Sequence, residues 1–173
     1  MKKVLFGFLI VFIFIFSGCA DEFDAKTQFS YTLRIKTRLQ GSDSYFTADF
    51  SKNGCDITFE DEHPLNGTIL CLREDKNTAS IGEFFNREVK KGCFPAQEAL
   101  YKAVKYLNST DIVAIPNENG LKYTIDEMTI MVYYNKDTES IIGLETEEGG
   151  RRFSFSFASF EHYETQSNGA SQP

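Results

Sequence analysis

Apolar and polar residues alternate with a period of two through most of this chain, which is the pattern of half-buried β-strands. The first such stretch begins at Phe29 and continues to Lys36. Similar stretches follow it, separated by turns rich in glycine, asparagine and aspartate. They cover residues 45–50, 55–60, 121–125, 128–134, 141–146 and 153–157. The pattern therefore predicts a protein built mainly from antiparallel strands.

The clearest hairpin joins residues 45–50 to residues 55–60. The loop between them, Ser51-Lys52-Asn53-Gly54, ends in an Asn-Gly pair, which suits the left-handed backbone of a tight reversal. Pairing across this loop places six side chains on one face of the hairpin. The predicted pairs are Phe50 with Cys55, Ala48 with Ile57, and Phe46 with Phe59. We expect this face to belong to the core.

Three further strands are predicted from less regular patterns. Residues 68–73 carry apolar side chains at both odd and even positions. We therefore expect this strand to be covered on both faces, with a downstream helix covering one of them. A weak strand is predicted at residues 78–85, and another strand at residues 112–115 is followed by a turn at residues 116–120.

One helix is predicted, and it begins at Pro95, because proline suits a first helical turn where its missing N–H has no intrahelical partner. Its apolar residues form a continuous stripe: Ala96, Leu100, Ala103, Val104 and Leu107. Glu98 and Lys102 are expected to pair on the outer side. The predicted fold class is therefore α+β, a curved antiparallel sheet in a half-barrel-like meander with one amphipathic helix packed on one face.

The N-terminal residues carry a separate signal. Lys2 and Lys3 precede an apolar run, residues 4–16, that is shorter than the roughly 20 residues of a membrane-spanning helix. The run ends in Ser17-Gly18-Cys19, so the segment is typical of a signal peptide. This ending resembles the lipobox of bacterial lipoproteins. The resemblance implies cleavage between Gly18 and Cys19 and lipid attachment at Cys19; the alternative is an ordinary signal peptide with a cysteine nearby by chance.

The predicted domain organisation follows from these two signals. Residues 1–18 are a lipoprotein signal peptide, residues 19–28 a tether, residues 29–163 a single α+β domain and residues 164–173 a disordered polar tail. Each buried methylene of an acyl chain contributes about 0.8 kcal/mol to membrane binding. We therefore expect the mature chain to be lipid-anchored to the cell membrane on its extracytoplasmic face.

Charge excludes one class of partner. Without residues 1–18 the chain has 16 basic and 25 acidic groups, a net charge of −9. Nucleic acid binding depends on concentrated lysine and arginine, and the sequence contains no basic patch of that kind. The predicted partners are the membrane, through the acyl anchor on Cys19, together with either an apolar small molecule or lipid or an unknown protein. No nucleic acid partner is predicted.

The remaining cysteines are Cys55, Cys71 and Cys93, an odd number that allows one intramolecular disulfide at most. The expected strand register places Cys71 opposite Thr58, too far from Cys55 for a bridge. A bridge between Cys71 and Cys93 stays open. We favour the interpretation that all three are small buried hydrophobic residues.

The sequence contains few clusters of residues that could bind a metal or carry out catalysis. The run Glu60-Asp61-Glu62-His63 lacks the alternating oxygen ligands of a calcium loop, and we interpret it as a solvated turn. The two histidines, His63 and His162, are not accompanied by a G-x-S-x-G motif, so a catalytic triad has no support. We therefore predict no catalytic residue, metal site or cofactor, and no enzymatic activity.

The apolar face offers the main candidate for binding. Six phenylalanines alternate along the predicted strands, and we call them the phenylalanine row: Phe46, Phe50, Phe59, Phe153, Phe155 and Phe157. They could line a cleft for an acyl chain with the helix as its lid, or they could fill a compact core, which is the interpretation that composition favours.

A resemblance bears on this choice. The order of elements, with residues 45–50, 57–59 and 64–67 followed by a helix and a closing meander, looks like that of small lipoproteins of the Lol-type carrier superfamily. The resemblance covers most of residues 29–160. It implies an antiparallel half-barrel closed by helices around an apolar cavity for lipid moieties.

Two functions are therefore expected. The first is a surface-anchored lipoprotein that binds or carries an apolar ligand. The second is an interaction module, such as an accessory subunit of an envelope or transport assembly, with a filled core and a protein-binding face. An apolar cavity of about 300 Å³ or more under the helix supports the first, and a close-packed interior supports the second.

Overall fold

The computed structural model describes residues 23–60, 62–82, 85–109 and 111–163. Within these residues, eleven strands form one open antiparallel sheet, accompanied by one α-helix and one 3-10 helix. The strands are β1 Leu33–Leu39, β2 Tyr45–Ser51, β3 Gly54–Phe59, β4 Thr68–Leu72, β5 Asn77–Ile81, β6 Phe85–Val89, β7 Ile115–Asn117, β8 Gly120–Ile125, β9 Met128–Asn135, β10 Ser140–Glu148 and β11 Arg151–His162. The 3-10 helix is Ala25–Gln28, and helix α1 is Pro95–Ser109.

The sheet consists of two meanders that meet in its centre. Its strand order is β6-β5-β4-β3-β2-β1-β11-β10-β9-β8-β7, so the last described strand, β11, pairs with the first, β1. Strands β6 and β7 consequently form the two outer edges. The segment that connects them must cross the whole sheet, and α1 lies in that segment.

Helix α1 crosses one face of the sheet, which we call the inner face. A helix of 15 residues is about 22 Å long, enough to cross four strands at their usual spacing. It contacts β3, β10 and the 3-10 helix. The predicted stripe is confirmed, because all five of its residues are buried: Ala96, Leu100, Ala103, Val104 and Leu107.

The hairpin of β2 and β3 has the predicted register. Phe50 lies opposite Cys55, and the pairing continues through Ala48 with Ile57 to Phe46 with Phe59. All six side chains are buried on the inner face. Gly54 carries the positive φ of this turn, at 147°, and the Leu72 carbonyl of the neighbouring strand β4 leaves no room for a Cβ, so both features favour glycine here.

Three strand predictions were wrong in detail. Strand β4 is covered on one face only: Leu70 is buried, whereas Ile69 is 41% exposed because α1 crosses the inner face alone. Residues 78–85 do not form one strand, since Gly82 reverses the chain with a positive φ and separates β5 from β6. Residues 112–114 are not a strand, and β7 begins at Ile115 and includes the predicted turn residue Pro116.

The N-terminal part of the described chain is packed more closely than a tether. Ala25 is fully buried in the core, and the ring of Phe23 lies 4.5 Å from that of Tyr134. The first strand begins at Leu33 rather than at Phe29, although the Phe29 side chain is buried. The packed structure therefore includes residues 23–28, which the polar composition of this segment did not indicate.

The predicted ion pair between Glu98 and Lys102 was also wrong. The Glu98 carboxylate accepts hydrogen bonds from the Gly92 backbone N–H at 2.8 Å and from the Asn77 amide at 3.2 Å. The Lys102 ammonium pairs with Glu148 on β10. Partners from elsewhere in the fold replace the local i, i+4 pair, because both side chains lie where the helix approaches the sheet.

Candidate functional site

Four of the six side chains in the phenylalanine row are buried together. Phe46, Phe50 and Phe59 come from the β2–β3 hairpin, and Phe155 joins them from β11, each no more than 3% exposed. The ring of Phe46 lies 6.2 Å from that of Phe59 and 6.5 Å from that of Phe155, with the second pair edge to face. Such spacing is typical of rings in direct contact within a core.

Phe153 and Phe157 lie at the two ends of the row on β11 and are half-buried. The sequence did not indicate Phe160 as a further member of this face. A β-bulge at Ala158 inserts one extra residue opposite β1, so Phe157 pairs with Thr37 and Phe160 with Ile35. Period-two alternation fails beyond such a bulge, because the extra residue shifts the parity of every position after it.

An open cleft lies beside Phe153. It has a volume of about 280 Å³ and lies between the first turns of α1 and the strands β10 and β11. Ala99 and Phe153 contribute apolar surface, and Lys102 and Glu148 contribute an ion pair. The cleft is slightly smaller than the roughly 300–1,000 Å³ of typical small-molecule sites.

A larger groove lies beside Phe157, where strands β10 and β11 of the sheet separate. Strands β10 and β11 pair from Glu148–Arg151 to Gly143–Ser156 and then separate. The groove in this fork has a volume of about 780 Å³, and the 3-10 helix forms one of its walls. Its lining is mixed, with apolar residues such as Phe157 and Ile142 beside polar residues such as Glu139.

The three described cysteines do not form a disulfide, and the interpretation that all three are buried was wrong, because only Cys55 is buried and Cys93 is exposed. Cys71 is half-buried and lies opposite Asp56, not Thr58 as expected, because the pairing of β3 with β4 is centred between His63 and Pro64, one residue earlier than expected. Burial raises the pKa of both thiols, and the carboxylate of Asp56 raises that of Cys71 further. A raised pKa keeps a thiol protonated, so neither has the character of a nucleophile.

The acidic turn does not form a metal site in the part of the chain that the structure describes. Glu60 pairs with Lys36 at 2.8 Å, and the His63 ring lies against that of Phe59, tilted by 31°, with ring centroids 4.4 Å apart. Burial lowers the pKa of His63, and its Nδ1 accepts a hydrogen bond from the Leu65 N–H. Across the described residues no group of three or more His, Cys, Asp or Glu side chains is arranged to hold a metal ion.

The two sheet edges expose most of the large apolar side chains that remain. Ile81 and Phe85, cross-strand neighbours on β5 and β6, are 53% and 40% exposed. At the other edge Val113 and Ile115 are exposed beside β7. Among the described residues, no helix is both long and apolar enough to cross a membrane.

A scan against protein-family models gives no match for this chain, and a search of curated proteins returns no significant match.

Proposed function

We propose that this chain is a lipoprotein anchored on the extracytoplasmic face of the cell membrane, and that its domain is an interaction module of an envelope or transport assembly. The anchoring part is supported by Lys2 and Lys3, the apolar run of residues 4–16 and the small residues before Cys19. Residues 1–22, including Cys19, lie outside the described part of the chain. Anchoring therefore rests on the sequence alone.

Substitution of the lipid-bearing residue tests the anchor. Cys19→Ala removes the sulfur that the acyl chains require, so the variant should leave the detergent phase in a phase-partitioning experiment while the parent stays in it. Cys93→Ala is the matched control, because Cys93 is an exposed cysteine of the folded domain. Equal partitioning of the parent and Cys19→Ala would refute lipid attachment at this residue.

The interaction module is supported by one observation, the filled space between α1 and the sheet. Leu100 and Leu107 of the helix and Phe46, Phe59 and Phe155 of the sheet belong to one continuous buried cluster. Close packing of this kind leaves no room for an acyl chain among these side chains. The filled core therefore favours a role carried out at the surface of the domain.

Carriage of an apolar ligand is the second candidate. It is supported by the half-buried positions of Phe153 and Phe157 beside the helix cleft and the fork groove. The open antiparallel sheet with one crossing helix is also compatible with the half-barrel of Lol-type carriers. Both openings contain charged side chains, which favour a polar or amphipathic ligand over an acyl chain.

A fluorescent fatty-acid probe separates the two candidates. For the interaction module we expect no saturable binding to the detergent-free domain released from its anchor. Saturable binding that weakens in Phe153→Ala or Phe157→Ala would instead establish the carrier. A photo-crosslinking amino acid placed at exposed positions around the sheet should, in intact cells, give discrete adducts with protein; adducts with lipid alone would contradict the interaction module.

A further inference from the structure

Strand β6 forms one outer edge of the sheet. Among the described residues it pairs with β5 alone, so one row of its backbone N–H and C=O groups faces away from the sheet. Phe85, Asn86, Arg87 and Glu88 are all exposed. An edge strand of this kind is a template for the backbone of another chain.

The opposite edge of the sheet, strand β7, is poorly suited to pairing with another chain. Strand β7 has three residues, and one of them is Pro116, which has no N–H to donate. A short strand with a proline is one of the usual ways in which a sheet edge is protected from pairing. Strand β6 has five residues and no proline, so the fold leaves one of its two edges competent for strand addition.

The side chains along β6 define what can pair with it. Phe85, Arg87 and Val89 share one face, and the Arg87 guanidinium lies 5.4 Å from the centre of the Phe85 ring. No salt bridge to Arg87 occurs among the described residues. Residues 85–91 contain three basic residues and one acidic residue in a chain whose net charge is −7. This edge is thus a locally basic, partly apolar surface on an acidic protein.

Pairing of β6 with the β6 strand of a second copy does not suit the charge of Arg87. In an antiparallel dimer that pairs all five residues of β6 with those of a second copy, Arg87 lies opposite its own symmetry mate. Like charges directly opposite one another destabilise a strand pair. A segment with a carboxylate at that position would instead be favoured by charge complementarity.

We propose that the β6 edge binds an extended segment of a partner protein by strand addition, with an acidic residue opposite Arg87 and apolar residues opposite Phe85 and Val89. The proposal rests on the interaction-module function and names its surface. Backbone hydrogen bonds would supply affinity, and the acidic residue would supply specificity. Phe85 and Ile81 would lose their exposure on binding.

Synthetic peptides test the proposal against the detergent-solubilised full chain, read by fluorescence anisotropy. The probe is the fluorescein-labelled heptapeptide Thr-Val-Thr-Glu-Thr-Val-Thr, and its control has lysine in place of glutamate. We expect the glutamate peptide to bind about fivefold or more tightly than the lysine peptide. Arg87→Glu should reverse this order, and Arg87→Lys should preserve it. Because Arg87 is exposed, both variants should melt at the parental temperature.

N-methylated versions of the peptide test whether its backbone pairs with β6. N-methylation of the second, fourth and sixth peptide residues removes the donors on one edge, and N-methylation of the third and fifth removes donors on the other. One of these two peptides should lose at least tenfold in affinity while the other binds like the parent peptide. Failure of the glutamate peptide to bind, equal affinities of the two N-methylated peptides, or an unchanged order in Arg87→Glu would overturn the β6 proposal. Photo-crosslinks to protein from other surface positions would then leave the interaction module standing with a different face.

Discussion

Truncation of Phe155 measures whether the phenylalanine row fills a core or borders a cleft. Phe155 is 3% exposed and lies between Leu39 of β1 and Leu144 of β10, with the Phe46 ring at 6.5 Å. Phe155→Ala removes a buried ring and leaves a cavity that its neighbours on three strands cannot close. Its free energy of unfolding should fall by about 3–5 kcal/mol.

The half-buried end of the same row provides the comparison. Phe153 borders the cleft beside α1, so Phe153→Ala loses less buried area and should cost about 1–2 kcal/mol. Phe85→Ala, on the exposed edge, should cost less than about 1 kcal/mol. Urea unfolding followed by far-UV circular dichroism, with unchanged m values, gives the three free energies. Equal costs for Phe155→Ala and Phe153→Ala would refute a close-packed centre and favour a ligand cleft along the whole row.

Three other substitutions test separate parts of the fold. Leu100→Asp buries an unpaired charge under α1 and should prevent folding, whereas Gln97→Asp in the first helical turn should change the melting temperature little. Burial raises the pKa of Tyr123 to about 12, above its unfolded value of about 10. The protonated hydroxyl therefore contributes fully to the free energy of unfolding below pH 10, and this contribution is lost as pH rises toward 12. The parent should therefore lose about 2 kcal/mol relative to Tyr123→Phe between pH 8 and pH 11.5, measured by urea unfolding; no difference between the two proteins would refute the burial of this hydroxyl. Gly54→Ala places a Cβ 2.1 Å from a carbonyl oxygen of the next strand and should cost more than about 2 kcal/mol, against about 1 kcal/mol for Gly41→Ala, which meets only the strain of its positive φ. Equal costs for these two glycines in thermal melts would contradict the close approach of β3 and β4 at Gly54.

Tertiary contacts decided which charged groups pair. Lys102 was expected to bind Glu98 one helical turn away, yet it binds Glu148, 46 residues further along the chain. Exposed i, i+4 pairs on a helix contribute only a few tenths of a kcal/mol, so a better-placed partner from a facing strand replaces them. The ion pair of Arg73 with Asp56 on the neighbouring strand has the same non-local origin.

Local pattern determined the elements whose structure depends on nearby residues. The β2–β3 register follows from the turn and from the alternation on each side of it, because a slip of one residue would turn Phe46, Ala48 and Phe50 toward solvent. The helix stripe follows from the 3.6-residue period in the same way. The antiparallel sheet and its one α-helix were predictable for this reason.

The tertiary structure alone decided the features that form where strands distant in the sequence meet. The pairing of β1 with β11 joins residues more than 110 positions apart, and the bulge at Ala158 within it sets the face of Phe160. The separation of β10 from β11 creates the fork groove, and the crossing of α1 leaves Ile69 exposed. Periodicity reports which side of a strand is apolar, but strand order and the path of the helix determine which apolar sides are covered.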